Sequence, residues 1–217
     1  ERLGWTGDTQ IFSRTALYNS DAAEFYRKWM RDMRDSQRED GAYPETAPFC
    51  NMWGYGTAGW GDAGIIVPWN TYVMTGDKEI IKENWQSMQK WIDFCTSQHD
   101  GQWTHIGAEP KCGDWLAYKE VDKRYVSYAY FAYSAALMQK MAEIIGRSDE
   151  ASKYGKLWKD IRNEFQQRYI TDGEINTGQD TQTAYLLALH FNLIFDTQRQ
   201  PAMDALRKNI IANDYKL

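Results

Sequence analysis

The run DKEIIKENWQSMQKWIDFCTSQHDG, residues 77–101, opens on an Asp, places Trp85 about two helical turns later and closes on Asp100-Gly101. The same layout occurs twice more, as Asp21, Trp29 and Asp40-Gly41, and as Asp149, Trp158 and Asp172-Gly173. An opening Asp accepts hydrogen bonds from the free amides of a first helical turn, and Gly takes the positive φ that reverses the chain afterwards. Each run therefore predicts one helix with both ends marked. Ahead of such helices stand patterns of smaller or more continuously apolar residues, at 63–73, 128–145 and 183–194, and these predict helices that lie deeper. Alternation of the two kinds across short turns predicts helical hairpins of about 50 to 65 residues, four of which fill the chain to near Leu217. An open solenoid, an ordinary bundle and a toroidal barrel all fit this repeat, because periodicity does not report closure. The one strand signal, 101–106, suggests an edge in a long loop.

With 217 residues, 43% hydrophobic and 25% charged, the chain is long enough to bury one substantial core, and a single domain over 1–217 is expected. Its net charge of −5 repels phosphate backbones and anionic membrane surfaces, so neither nucleic acid nor a membrane is an expected partner. There is no apolar run of membrane-spanning length and no signal peptide. A start at Glu1 in place of Met reads as a processed or trimmed end, which leaves the compartment open, with a periplasmic or secreted location compatible. Cys50, Cys95 and Cys112 form no CxxC pair, and His99, His105 and His190 have no ligand spacing, so no metal site and no disulfide scaffold is expected. No cofactor fingerprint or nucleophile elbow is present either. The 10 Trp and 14 Tyr are more polar-tipped flat surface than a core alone requires, and flat surface suits sugar rings.

Those aromatics sit in a recurrent loop. Gly4-Trp5-Thr6-Gly7-Asp8, Gly59-Trp60-Gly61-Asp62 and Gly113-Asp114-Trp115 each combine Gly, Asp and Trp ahead of a deeper helix, and Gly178-Gln179-Asp180 follows later. If the loops at one end of a helical barrel converge, several carboxylates and indoles share one cleft. Glycoside hydrolysis needs that inventory: one carboxylic acid protonates the leaving oxygen while another carboxylate works at the anomeric carbon. Asp8, Asp62 and Asp180 equally stand where helix N-caps belong, and Trp5, Trp60 and Trp115 equally suit a core, so the residues by themselves leave both readings open.

The segment Glu1-Arg2-Leu3-Gly4-Trp5-Thr6-Gly7-Asp8-Thr9-Gln10 resembles the acid-bearing motif of glycoside hydrolase family 78, the α-L-rhamnosidases. Further similarity follows in order at Lys28-Trp29 and Asp32, Gln37 to Gly41, Gly59 to Ala63 with Pro68-Trp69, Gly113 to Leu116, and Gln182 to Tyr185 through His190-Phe191, reaching about Ile194. The resemblance implies an all-α (α/α)6 barrel, of which about four of six hairpins are present. It also implies an inverting hydrolase of terminal α-L-rhamnosides in plant glycosides or polysaccharides. Carried onto this chain, it makes Glu1 the general acid and Asp8 a residue that binds and orients the rhamnose, with Trp5, Trp60 and Trp115 lining the sugar site and Asp62 and Asp114 beside it. The family's second glutamate, which activates water, belongs to a later barrel segment, and the sugar-binding Asp and Arg that precede the acid in the family lie before Glu1. A general acid must be held in place, and here it is the first residue, so the 217 residues alone are expected to turn over little or no substrate. Two other readings use the same inventory: a trehalase-like or debranching (α/α)6 glycosidase, and a helical-repeat module that binds carbohydrate without cleaving it.

Overall fold

The computed structural model describes residues 2–98, 107–176 and 180–215. The strand signal at 101–106, the pair Asp100-Gly101, Gly178-Gln179 and the candidate acid Glu1 lie outside the described residues.

Among the described residues eight helices pair off along the chain: α1 (Thr6–Asn19) with α2 (Ala23–Asp35), α3 (Ala63–Thr75) with α4 (Glu79–Ser97), α5 (Lys123–Ile144) with α6 (Ser148–Tyr169), and α7 (Gln182–His190) with α8 (Asp196–Ala212). These are the four expected hairpins. The turns within them are short, and Gly76, at φ +74°, closes α3 in the left-handed conformation with its amide bonded to the Tyr72 carbonyl at 2.7 Å. Odd-numbered helices form an inner row in which α1 packs on α3, α3 on α5 and α5 on α7. Behind them α4, α6 and α8 pack on their own partners, while α2 and α4 also reach the next inner helix.

The ends of the helices show which markers acted as caps. An Asp77 carboxylate oxygen accepts from the Glu79 amide at 2.9 Å, as expected of a cap, and Asp149 lies in the first turn of α6. Asp21 makes no side-chain cap, because the N-cap position of α2 falls on Ala22. For α7 the capping side chain is Thr181, which accepts from the Ala184 amide at 3.3 Å, while Asp180 accepts from the Tyr185 hydroxyl instead. The Asp172-Gly173 pair does not end a helix directly. Both residues have positive φ, 51° and 82°, and form the two-residue turn of a small antiparallel hairpin, β1 (Ile170–Thr171) with β2 (Glu174–Ile175), an arrangement favoured by Asp-Gly.

Burial follows position in the row. α5, flanked on both sides, buries thirteen residues against six in its partner α6, as a deeper helix should. α3 and α4 are both heavily buried, which corrects the expectation that the Trp-bearing helix is always the shallower one. α7 buries only Ala184 and Ala188, and α1 only Thr6, Gln10 and Ser13, because each has an inner-row neighbour on one side alone. The shared core is dominated by flat rings. Trp91, fully buried, lies between Tyr43 (centroids 5.7 Å apart) and Phe94 (5.5 Å), and each such ring contributes roughly 2–3 kcal/mol by leaving water. Cys50, Cys95 and Cys112 are free thiols, and no helix among the described residues is long and apolar enough to cross a membrane.

Candidate active site

Three chain segments meet at one end of the inner row. The first is the start of α1, which is fastened to the connection between α2 and α3: the Thr6 amide and hydroxyl both donate to the Glu45 carbonyl, at 3.0 and 3.1 Å, and the Ala47 amide donates to the Gly4 carbonyl at 2.8 Å. Contact there is so close that a Cβ on Gly4 would lie 2.3 Å from the Ala47 carbonyl oxygen, and only glycine fits. Gly7 and Asp8 of the first helical turn are thereby held in place.

The second segment is the loop 57–62, in which the Trp60 and Gly61 amides turn back onto the Thr57 carbonyl at 3.2 and 2.9 Å. Asp62 secures it from below. Its side chain is 1% exposed and accepts from the Gly59 amide (2.9 Å), the Trp91 indole N–H of α4 (3.1 Å) and the Ser134 hydroxyl of α5 (2.7 Å). Burial raises its pKa, while those three hydrogen bonds pull the other way. The indole of Trp60 then lies over Gly7, where a Cβ would come within 3.0 Å of the ring. Small size at residue 7 lets the first two segments interlock.

The third segment is Gly113-Asp114-Trp115, ahead of α5. Gly113 takes φ +58°, and one carboxylate oxygen of Asp114 is buried with no hydrogen-bond partner among the described residues. Trp115 is 64% exposed.

Between these segments lies a cavity of about 750 Å³ lined by Asp8, Gln10, Phe12, Trp60, Asp114 and Trp115, with Val126 and Tyr130 from α5 and Thr183 and Leu187 from α7. That is the size and mixture of a small-molecule site: apolar walls with a few polar groups that fix orientation. Four of the sequence-nominated residues, Asp8, Trp60, Asp114 and Trp115, thus come together. Trp5 does not line the cavity. Its ring packs against Trp53 with centroids 5.0 Å apart. Asp62 lies beneath the floor, out of reach of a bound molecule.

Tyr130 and Gln10 were not legible as site residues. The Gln10 amide donates to the Tyr130 hydroxyl oxygen at 3.1 Å, which leaves the phenolic hydrogen free to donate into the cavity. Desolvation pushes the Tyr130 pKa up to about 12, so the phenol keeps that proton across the neutral range. The available signal was the spacing of four between Val126 and Tyr130 and between Thr183 and Leu187, which puts each pair on one helix face. Which face met the cavity was not in the spacing. Among the described residues no group of three or more His, Cys, Asp or Glu side chains is placed to hold a metal ion.

Residues 1–217 match the family model described as the bacterial alpha-L-rhamnosidase 6 hairpin glycosidase domain. An alpha-L-rhamnosidase of Streptomyces avermitilis is 40% identical over 219 residues, covering 100% of this chain and 21% of that protein. One from Formosa agariphila is 34% identical over 225 residues, covering 100% of this chain and 24% of its own. Among solved structures, that of the Streptomyces avermitilis alpha-L-rhamnosidase complexed with L-rhamnose superposes with a TM-score of 0.91 over 99% of this chain and 20% of that one, at 40% identity. The native alpha-L-rhamnosidase of Aspergillus terreus superposes with a TM-score of 0.89 at 33% identity, over 100% of this chain and 26% of that one. The chain therefore spans about a fifth to a quarter of the length of the relatives it matches.

Proposed function

We propose, from the premise that the chain belongs to the bacterial alpha-L-rhamnosidase six-hairpin glycosidase domain family, that its cavity holds a terminal L-rhamnose and that the protein carrying it hydrolyses α-L-rhamnosidic bonds with inversion. In this reading residues 1–217 act as one unit of the catalytic barrel. The observation that carries it is the convergence of Asp8, Asp114, Trp60 and Trp115 on one sugar-sized cavity, from loops more than a hundred residues apart in the chain.

Each lining group has a task that its chemistry suits. The indoles of Trp60 and Trp115 take the C–H faces of the ring, and the Asp8 carboxylate accepts hydrogen bonds from its hydroxyls. The unpartnered buried oxygen of Asp114 gains a donor when a hydroxyl arrives, which turns an uncompensated burial cost into affinity for sugar. Tyr130 donates its remaining hydrogen. Asp62 acts as a positioning residue that fixes Gly59 and through it Trp60. The resemblance at residues 1–10 makes Glu1 the acid that protonates the glycosidic oxygen. The base that activates water on the opposite ring face then comes from outside these 217 residues, at the roughly 6.5–9.5 Å from the acid that inversion requires.

A panel of 4-nitrophenyl glycosides offered to the full-length protein tests the proposal. Release of nitrophenol from the α-L-rhamnoside, with the β-anomer of rhamnose appearing first by NMR, is the expected result. Cleavage of a glucoside and not the rhamnoside overturns it, and L-rhamnose binding without hydrolysis of any glycoside makes the domain a binding module.

A further inference from the structure

The buried face of α1 is polar. Its residues are Thr6, Gln10 and Ser13, spaced along one side of the helix where apolar side chains ordinarily stand. Two of the three have evident structural partners. Thr6 binds the Glu45 carbonyl, and the Ser13 hydroxyl donates to the Gln10 backbone carbonyl and accepts from the Asn70 amide of α3, both at 2.9 Å. Gln10 differs. It is 6% exposed and lines the cavity, and its side chain has a single hydrogen-bond partner among the described residues, the Tyr130 hydroxyl of α5. A buried amide ordinarily satisfies most of its hydrogen-bonding capacity, and a methionine would fill the same length with no polar atom to desolvate. Packing alone does not account for an amide here.

The bond is also unusual in what it joins. α1 packs on α3 and α3 on α5, so the link from Gln10 to Tyr130 crosses between helices that are not neighbours in the inner row, 120 residues apart in the chain. Its far end is a ring with little freedom. Tyr130 rests on Gly59, where an added Cβ would lie 3.6 Å from the ring, and it meets the Phe191 ring edge-on with centroids 5.2 Å apart. Phe191 is in turn stacked on Tyr133 at 4.1 Å. With the ring held, the phenol keeps one freedom, rotation of its O–H between two settings in the ring plane. The Gln10 N–H occupies one side of the oxygen, so the hydrogen takes the other.

We infer that Gln10 is a positioning residue for sugar recognition: its amide N–H holds the Tyr130 phenol as a donor toward the cavity, where the phenol selects a ring hydroxyl that accepts. The inference rests on the rhamnose reading of the cavity and adds to it the protein group that sets the direction of this hydrogen bond. Tyr130 retains the proton it gives, because desolvation pushes its pKa up to about 12. Selectivity follows from the fixed direction. An analogue that lacks the accepting hydroxyl leaves the phenolic hydrogen unpaired in a desolvated site and is rejected for that reason.

The test measures binding of L-rhamnose and its 2-, 3- and 4-deoxy analogues by isothermal titration to the full-length protein and to Tyr130→Phe, Gln10→Met and the double variant. On the unmodified protein one of the deoxy analogues is expected to bind about tenfold more weakly through loss of the Tyr130 bond. On Tyr130→Phe that same analogue should bind within about twofold of L-rhamnose, and on Gln10→Met its penalty should shrink to about threefold while the penalties of the other two analogues stay as they were. In the Tyr130→Phe background, Gln10→Met is expected to change L-rhamnose affinity by less than about twofold, since its effect passes through the hydroxyl already removed. Gln10→Leu takes the place of Gln10→Met if that variant does not fold. Equal weakening of all four sugars by Gln10→Met, full additivity of the two substitutions, or deoxy penalties that are the same with and without the Tyr130 hydroxyl overturns the inference while leaving the rhamnose reading in place. Failure of the unmodified protein to bind L-rhamnose at all overturns the rhamnose reading and the inference with it.

Discussion

Asp62 illustrates how one residue type in one motif takes two tasks. Gly7-Asp8 and Gly61-Asp62 look alike in the chain, yet Asp8 opens onto the cavity and Asp62 closes on three donors beneath it. Removing the carboxylate with Asp62→Ala strands the Gly59 amide, the Trp91 indole and the Ser134 hydroxyl in the interior. Such a change is expected to cost about 2–4 kcal/mol in denaturant unfolding and to weaken L-rhamnose binding through the loosened Trp60. The pH dependence has a definite sign. Burial raises the folded pKa of Asp62 above the ordinary aspartate value of 3.8, so ionisation is disfavoured by folding and the destabilising component is fully present above the folded pKa. As pH falls from the folded pKa toward 3.8 that component is relieved, and the stability of the protein should rise relative to Asp62→Asn, as paired urea titrations across that range will register. A stability difference that stays flat with pH would mean that Asp62 is not the titrating group.

At the scale of elements, glycines set how closely α1, α3 and α4 approach. A Cβ on Gly61 would lie 2.2 Å from the Trp91 ring, and one on Gly64 would lie 2.1 Å from Tyr43, whereas Gly76 has nothing within 4 Å. Gly64→Ala is accordingly expected to destabilise by about 1–3 kcal/mol through overpacking, and Gly76→Ala by about 1 kcal/mol through its positive φ alone. The order of the two thermal midpoints checks this. Gly7 is a gentler case, since its Cβ would meet Trp60 at 3.0 Å and the ring must yield by a few tenths of an ångström. Gly7→Ala should leave the unfolding midpoint nearly unchanged and raise the L-rhamnose dissociation constant several-fold, about 1 kcal/mol in binding, by isothermal titration. The hairpins themselves were readable: Asp77 marks the start of α4, and Gly76 with its positive φ ends α3. The markers misled at α7, where Thr181 supplied the cap and Asp180 turned to Tyr185, at Asp21, which stands one residue before the N-cap Ala22, and at Asp172-Gly173, which turns a β-hairpin.

Across the whole molecule, the inner row brings the lining of one cavity together from distant parts of the chain. Nothing within 1–217 was assigned the water-activating role, and the 217 residues alone are expected to bind L-rhamnose, seen as a change in tryptophan fluorescence, while releasing no nitrophenol from its rhamnoside. Hydrolysis by this chain alone would place the base inside it. α1 and α7, at the two ends of the row, leave Ile11, Phe12, Tyr18 and Leu186 more than half exposed, so this form is also expected to self-associate in sedimentation velocity as its concentration rises.

Local chemistry determined the helices, the four hairpins and the nomination of Asp8, Trp60, Asp114 and Trp115, because caps, turns and Gly-Asp-Trp loops act between residues that are neighbours in the chain. Their meeting in one cavity, the arrival of Tyr130 and Gln10 beside them, the withdrawal of Asp62 beneath the floor and the pairing of Trp5 with Trp53 were decided by tertiary packing. Those outcomes depend on which segments touch across separations of 29 to 120 residues. No local pattern carries that, since a carboxylate goes to whichever donors the packed core brings within 3 Å of it.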